Sequence, residues 1–508
     1  MNEDIDVVNM TIRVLYSGLF FFVVGIITIL TGLVFMLIIT RTLSQQEFGT
    51  WTLIMGLIVY VTIIEPIGSY WVTREIARGE ESGKTSIVSS GIFSSLGIAV
   101  FIIASFFVSE QTEVVKNVLY FAAVIIPLSF LNQTLSSIIL GFKPHIFSLG
   151  KLTLEISKIP LAIIFIFYLE LGIQGVILSI ALAYMPSIIL LFYYAREKIT
   201  GAIKQKFIKK WIKLSWITLY PGIQVLVRSI DLLIFTLITG SVLGLAYYGA
   251  ALSIAGLVSH AASISGGVYP KLLAEEKVDY LQNIITKIFY FIIPLFAISI
   301  TFARPGLFIL NPLYEIAFPI VIILTIKHTL MVFSREFENY LTGSEKVDLN
   351  SKSTFKNYVQ SRFFTIPSFR LVQNLIYLVL LVIMLTVLNS NHSEFELLIY
   401  WTMLSLFAII PITIYLSIAV KNKFSIQLEW KPIIKYLTAS VLVFVPLFIL
   451  AENYLEYDSK VINFLPDVLS FVILGIIGYA ILTYFMDSKT KNFFNAIIQE
   501  IIMKIKQK

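Results

Sequence analysis

Apolar runs of about twenty residues, the length an α-helix needs to cross the hydrocarbon core of a bilayer, follow one another along this whole sequence. That recurrence leaves few solutions, because backbone polar groups surrounded by lipid must be satisfied inside a helix or in a closed barrel. Barrel strands alternate apolar and polar residues over about ten positions; these runs lack the alternation and are about twice as long. The chain is therefore predicted to be an all-α integral membrane protein. Composition agrees: 57% of its 508 residues are hydrophobic and 14% charged, where soluble domains carry about 25% charged residues.

Fourteen transmembrane helices are expected, at 14–40, 50–70, 85–108, 116–140, 152–169, 173–194, 214–239, 243–268, 284–309, 316–335, 370–388, 396–419, 433–450 and 466–486. With the N-terminus in the cytoplasm, 31 of the 38 Lys and Arg fall on the cytoplasmic side and four on the outer side (Arg41, Lys116, Arg304, Lys460). The other three, Lys158, Arg228 and Lys327, lie within spans. Basic residues are retained on the cytoplasmic face, so the expectation is a multi-pass protein of the cytoplasmic membrane with both termini inside. The net charge of +7 is read as this loop bias and not as a nucleic-acid surface. The start, MNEDIDVVNMTIRVLYSG, is acidic where a signal peptide is basic, so the first span is expected to be retained. Cysteine is absent, which excludes disulfides, thiolate metal sites and cysteine nucleophiles.

Two segments suggest helices lying on the membrane surface. REKITGAIKQKFIKKWIK (196–213) interleaves lysines with Phe207, Ile208, Trp211 and Ile212, a pattern suited to anionic headgroups. The tail repeats Phe493/Phe494, Ile497/Ile498, Ile501/Ile502 and Ile505 about every four residues, one apolar helical face. A faint internal repeat sets FGTWTL (from Phe48) against YYGAAL (from Tyr247), and Gly68 against Gly267, at an offset of 199 residues. An offset of six helices preserves orientation, as in transporters built from two parallel halves. The expected organisation is a six-helix lobe at 1–194, a basic linker at 195–213, a second six-helix lobe at 214–420, and two further helices with an amphipathic tail at 421–508.

No enzyme constellation is found. His145, His260, His328 and His392 have no partner at metal-ligand spacing, and no phosphate-binding glycine loop occurs. No catalytic residue, metal site or cofactor is expected, apart from coupling to H⁺ or Na⁺. The remaining candidates are charges inside spans, each costing roughly 2.5–3.5 kcal/mol at a helix centre on insertion scales. Arg228 and Asp231 are three residues apart on one face and able to pair. Lys327 lies mid-span beside His328, Glu65 precedes Pro66, and Glu155 and Lys158 form a local pair. Arg228, Asp231 and Lys327 sum to one positive charge, which favours an anionic ligand.

RTLSQQEFGTW (41–51) is close to the R-x-L-G-x-x-E-[FY]-G pattern of polysaccharide and O-antigen flippases of the MOP superfamily. GSYWVTREIARG (68–79), GFKPHIFSLGKLTLEISKIPLAI (141–163), LGIQGVILS (171–179), RSIDLLIFTLITGSVLGLAYYGAALSI (228–254) and VYPKLL (268–273) resemble the same family in order and spacing. The sequence departs from it at Ser44, commonly glycine, and at Glu65-Pro66, commonly Asp-Leu, which puts any role for Glu65 in doubt. The resemblance implies a MATE-like fold of two six-helix lobes around a cavity, plus two C-terminal helices. It also implies a non-enzymatic transporter that moves a lipid-linked oligosaccharide, on a polyprenyl or dolichyl phosphate or diphosphate, to the outer leaflet. Arg228, with Arg41 or Arg74, would contact phosphate; Asp231 would hold Arg228 or carry a coupling proton. Membrane lipids, a glycan polymerase and glycosyltransferases are the partners this reading implies. The alternatives are a MATE-like H⁺- or Na⁺-coupled exporter of cationic drugs, an enzyme acting on lipid-linked sugars, and a scaffold for a glycan-assembly complex.

Overall fold

The computed structural model describes residues 24–264 (except 26), 278–343, 345, 355–425, 428–492 and 494–495. Among them every regular element is helical. Among the described residues eleven helices are long and apolar enough to cross a membrane, or twelve if one bent pair is a single span. The chain is thus a multi-pass helical membrane protein. Of the fourteen expected windows, two fall outside the count of twelve, in which the bent pair stands for window 50–70. Window 14–40 is described only as a shorter helix, α1 (Ile27–Thr42). Window 152–169 lies in α6 (Pro144–Ala162) and the π-helical turn Ile163–Tyr168 that follows it. The VYPKLL segment and the tail beyond Asn495 lie outside the described residues.

Contacts divide the chain into two units, residues 1–249 with 345–404 and residues 250–344 with 405–508. In the first, α1 leads to the bent pair α2 (Gln45–Thr62) and α3 (Pro66–Ala77), which meet at 58°. Proline suits the first position of a helix and kinks or breaks one in its interior; Pro66 starts α3 just past the bend. Then come α4 (Gly83–Gln111), α5 (Lys116–Leu140), α6, α7 (Gly172–Ala195), the short basic α8 (Gln205–Lys213), α9 (Ser215–Thr239) and α10 (Leu243–Ala255), whose last residues pass into the second unit. The second unit continues with α11 (Val278–Thr301), α12 (Ala303–Leu310) and α13 (Phe318–Gly343). The chain returns to the first unit for α14 (Phe355–Val359), α15 (Arg362–Leu388) and the start of α16 (Glu394–Phe424). It closes in the second with α17 (Trp430–Tyr454) and α18 (Val461–Met486).

The motif around residue 44 has a structural explanation. Ser44 caps α2: its side chain accepts from the Glu47 backbone N–H, while the Glu47 carboxylate accepts from the Ser44 N–H at 3.0 Å, a complete capping box. The other Glu47 oxygen accepts from the Ile173 N–H at 3.3 Å, at the start of α7. Gly172 there has φ +53°, and a side chain on it would strike Glu47. The two sequence motifs RTLSQQEFGTW and LGIQGVILS are therefore joined through one carboxylate. Ser44, where the resembled family has glycine, supplies a stronger cap than glycine does.

The two segments of the faint repeat lie against each other. Gly49 abuts the Val242 backbone, and Gly249 approaches Thr52 and Phe48. Small residues let helix backbones approach in a bilayer, where packing replaces the hydrophobic drive. Gln45 donates to the Tyr247 hydroxyl at 3.2 Å along the same seam.

The basic segment forms α8, but its apolar residues divide their roles. Phe207 and Trp211 stack on each other and are buried among Ile67, Ile64, Trp71 and Phe93, so they dock α8 on α3 instead of facing lipid. Buried Glu75 holds this contact, accepting from Lys210 at 3.0 Å and from the Trp211 indole at 3.3 Å. Ile212 stays exposed. Glu155 and Lys158 pair at 2.6 Å, as their spacing implies.

In the second unit, buried Asp487 fastens the ends of α17 and α18. It accepts from the Tyr436 hydroxyl and the Thr490 backbone and side chain, all at 3.0 Å, with Lys435 at 3.6 Å. Burial alone would raise its carboxyl; the Thr490 and Tyr436 hydrogen bonds and Lys435 outweigh it and hold the group below its ordinary value.

Two outcomes follow. Ser44→Ala should cost about 1 kcal/mol, and Glu47→Ala more, read as melting midpoints of the detergent-solubilised protein. A depressed folded-state pKa stabilises above the unfolded value, about 3.9 for aspartate, and that stability is lost as pH falls through the lower folded value. Asp487→Asn should therefore lower stability at neutral pH and flatten the acid limb of a stability-versus-pH curve below about pH 4.

Candidate functional site

The candidate site lies in the first unit on α9, which α15 holds along its length. Tyr220 bonds Ser368 at 2.5 Å, Asn374 donates to the Gln224 carbonyl at 2.8 Å, and Asn389 donates to the Ile238 carbonyl at 3.1 Å. Between these contacts is Asp231. Its Oδ2 accepts from the Tyr377 hydroxyl at 2.8 Å and from the Trp401 indole N–H at 3.3 Å, and the same indole donates to the Tyr377 oxygen at 2.9 Å. Oδ1 accepts from the Leu232 backbone N–H at 2.8 Å. A buried carboxylate is costly unless its lone pairs are satisfied, and here three helices contribute to that. Trp401 is fixed by stacking between Phe235 and Tyr248, each ring at 4.8 Å.

Arg228, one turn before Asp231, is half-buried, and both residues act electrostatically on the Tyr248 phenol. Across α9 the Tyr60 hydroxyl donates to the Ser229 carbonyl at 2.5 Å. Among the eleven candidate spans α9 has the smallest buried share. Yet within Leu219–Thr239 only Ile223 and Val225 are strongly exposed among the large hydrophobic residues.

The other sequence-derived candidates sit on separate elements. Arg41 lies near the end of α1 and is half-buried. Glu65 stands at the bend between α2 and α3, buried, with one oxygen accepting from Ser69 at 2.9 Å and the other without a hydrogen-bond partner among the described residues. Arg74 lies on α3 with its guanidinium 4.3 Å from the centre of the Tyr70 ring. Lys327 belongs to the second unit, buried on α13; the adjacent His328 bonds Ser259 at 2.8 Å. Of these candidates only Arg228 and Asp231 share an element, α9.

Sequence reasoning missed Tyr377, Trp401, Tyr248 and Asn374. A signal existed: a phenol or indole deep in an apolar span needs a hydrogen-bond partner. Which partner it takes depends on the fold.

These helices and this site define a polytopic helical bundle with the fold of MATE transporters. An inward-facing multidrug resistance MATE family transporter of the MOP superfamily superposes with a TM-score of 0.58 at 14% identity, over 80% of this chain and 98% of that one. An outward-facing one superposes with a TM-score of 0.54 at 15% identity, over 80% and 95%. No protein-family model and no curated protein matches the sequence.

Tyr377→Phe removes a hydrogen bond to a buried charge and should cost about 1.5–3 kcal/mol, seen as a lower melting midpoint. Asn374→Ala, which removes the donor to the Gln224 carbonyl, should give a smaller loss of about 1 kcal/mol in the same measurement.

Proposed function

We propose that the chain is a membrane transporter that moves lipid-linked oligosaccharides, glycans on a polyprenyl or dolichyl phosphate, across the cytoplasmic membrane by alternating access, in the assembly of cell-surface polysaccharide or glycoprotein. The observation that carries this reading is Arg228, a guanidinium midway along the least buried of the described spans and one turn from Asp231. A planar guanidinium suits phosphate oxygens in two-point contact. Lys327 is a second cation deep within an apolar helix, and Arg41 and Arg74 add positive charge toward the helix ends. The solved structures similar to this chain are titled as inward-facing and outward-facing, a pair of states that supports alternating access here. Flipping needs no covalent chemistry, so no residue is given a catalytic role; coupling to H⁺ or Na⁺ would act through Asp231.

A second reading has its own support. The similar structures are titled as multidrug resistance transporters, and Asp231 would suit a cationic substrate. Reconstitution in liposomes separates the two. A fluorescent polyprenyl-phosphate glycan should become protected from an external quencher with native protein, and about tenfold or more slowly with Arg228→Ala/Lys327→Ala, the loss expected for one charge-assisted contact or more. Ion-driven efflux of a lipophilic cation with no flipping would select the exporter reading. Equal flipping by both proteins would remove these residues from the site.

A further inference from the structure

Helix α8 gives one face to the protein and keeps the other open. Phe207 and Trp211, four residues apart, are buried against α3. The opposite face carries Gln205, Lys206, Lys209, Ile212 and Lys213, all exposed. At about 100° per residue, Lys209 lies nearly opposite the docked pair. The lysines divide in the same way. Lys210, at the border of the docked face, reaches Glu75 at 3.0 Å. Lys204, just ahead of the helix, reaches Glu81 at 3.1 Å and donates its backbone N–H to Thr85 at 3.0 Å. Lys206, Lys209 and Lys213 have no carboxylate partner among the described residues. From Lys198 to Lys213 the sequence holds six lysines and no acidic residue, so no local carboxylate can neutralise them.

The surroundings of this face follow from its place in the chain. Only Leu214 separates α8 from α9, so the helix lies at the end of a membrane-crossing element, at headgroup level. Ile212 is exposed among the lysines, and Ile203 is exposed just before them. Ammonium groups mixed with isoleucine suit a boundary where charged headgroups meet the first acyl carbons. Three ammonium groups with no acid between them match a surface of opposite sign. We propose that the outward face of α8 is a docking surface for anionic phospholipid headgroups, held by Lys206, Lys209 and Lys213 with Ile212 toward the acyl chains. The sequence pattern offers every lysine of the segment to the membrane; the fold takes Lys204 and Lys210 for itself and leaves three. This surface is independent of what the transporter carries.

Because the chain has no cysteine, Ile212→Cys can carry a single fluorophore. Full-length protein is placed in phosphatidylcholine nanodiscs, and quenching by spin-labelled phosphatidylglycerol is compared with quenching by spin-labelled phosphatidylcholine at the same mole fraction. Phosphatidylglycerol should quench more strongly, and the difference should shrink as salt is raised. Lys206→Gln, Lys209→Gln and Lys213→Gln should each weaken the apparent affinity for phosphatidylglycerol about fivefold, the worth of one lysine near an anionic surface. The triple variant should abolish the preference. Lys210→Gln should keep it while lowering the melting midpoint, because buried Glu75 loses its cation. Equal quenching by the two lipids, a preference that survives the triple variant, or one lost as fully in Lys210→Gln would overturn the proposal. Quenching by neither lipid, the result expected if this face took an acidic protein segment, would overturn it as well.

Discussion

A bilayer offers no water to a polar group, so each one buried in a span must be satisfied by another part of the chain. In this protein that requirement is concentrated at Asp231. Its carboxylate draws the Tyr377 hydroxyl from α15 and the Trp401 indole from α16 onto α9, and the indole is held flat between Phe235 and Tyr248. Both donors are neutral, so hydrogen bonding here leaves the electrostatic balance of the site to its ionic groups. With the Tyr220–Ser368, Asn374–Gln224 and Asn389–Ile238 bonds, this group fixes α15 along α9. Loss of a donor leaves a buried acceptor unpaired, which is why Tyr377→Phe is a fold-level change even though it removes one oxygen.

The same constraint operates elsewhere with different partners. Glu47 satisfies a helix start on its own segment and another at Ile173. Glu75 satisfies Lys210 and Trp211. In the second unit Asp487 joins the ends of two spans. Each carboxylate links elements distant in sequence, so the polar residues of this apolar chain act as its staples. The transport reading adds to these staples the guanidinium of Arg228, half-buried on α9.

Much of the fold was legible in the sequence because a membrane span is encoded locally. Length and hydropathy of the apolar runs place the helices, and Ser44 with Glu47 three residues later spells the capping box of α2. The span count was harder. Window 152–169 carries Glu155 and Lys158 and ends in a π-helical turn, and the bend at Glu65-Pro66 divides another span. At the site, the charges stood out against their apolar surroundings, but their partners did not. Tyr377 and Trp401 lie 146 and 170 residues from Asp231, and a three-residue spacing drew attention to Arg228 instead. The amphipathic pattern of α8 was readable, whereas the docking of Phe207 and Trp211 on α3 depends on a surface that exists only in the folded chain.

On the proposed reading, Arg228 on α9 contacts an anionic lipid head. Because the chain has no cysteine, a single cysteine at Gln224, one turn before Arg228, can be labelled without background while the guanidinium is kept. The most direct measurement is the rate at which a membrane-impermeant thiol reagent modifies that position in proteoliposomes, with and without a polyprenyl-phosphate glycan. The account predicts that position 224 reacts, that the glycolipid slows the reaction, and that Arg228→Ala in the same background abolishes the slowing. A position 224 that is inert, or that is protected equally with and without Arg228, would contradict the account.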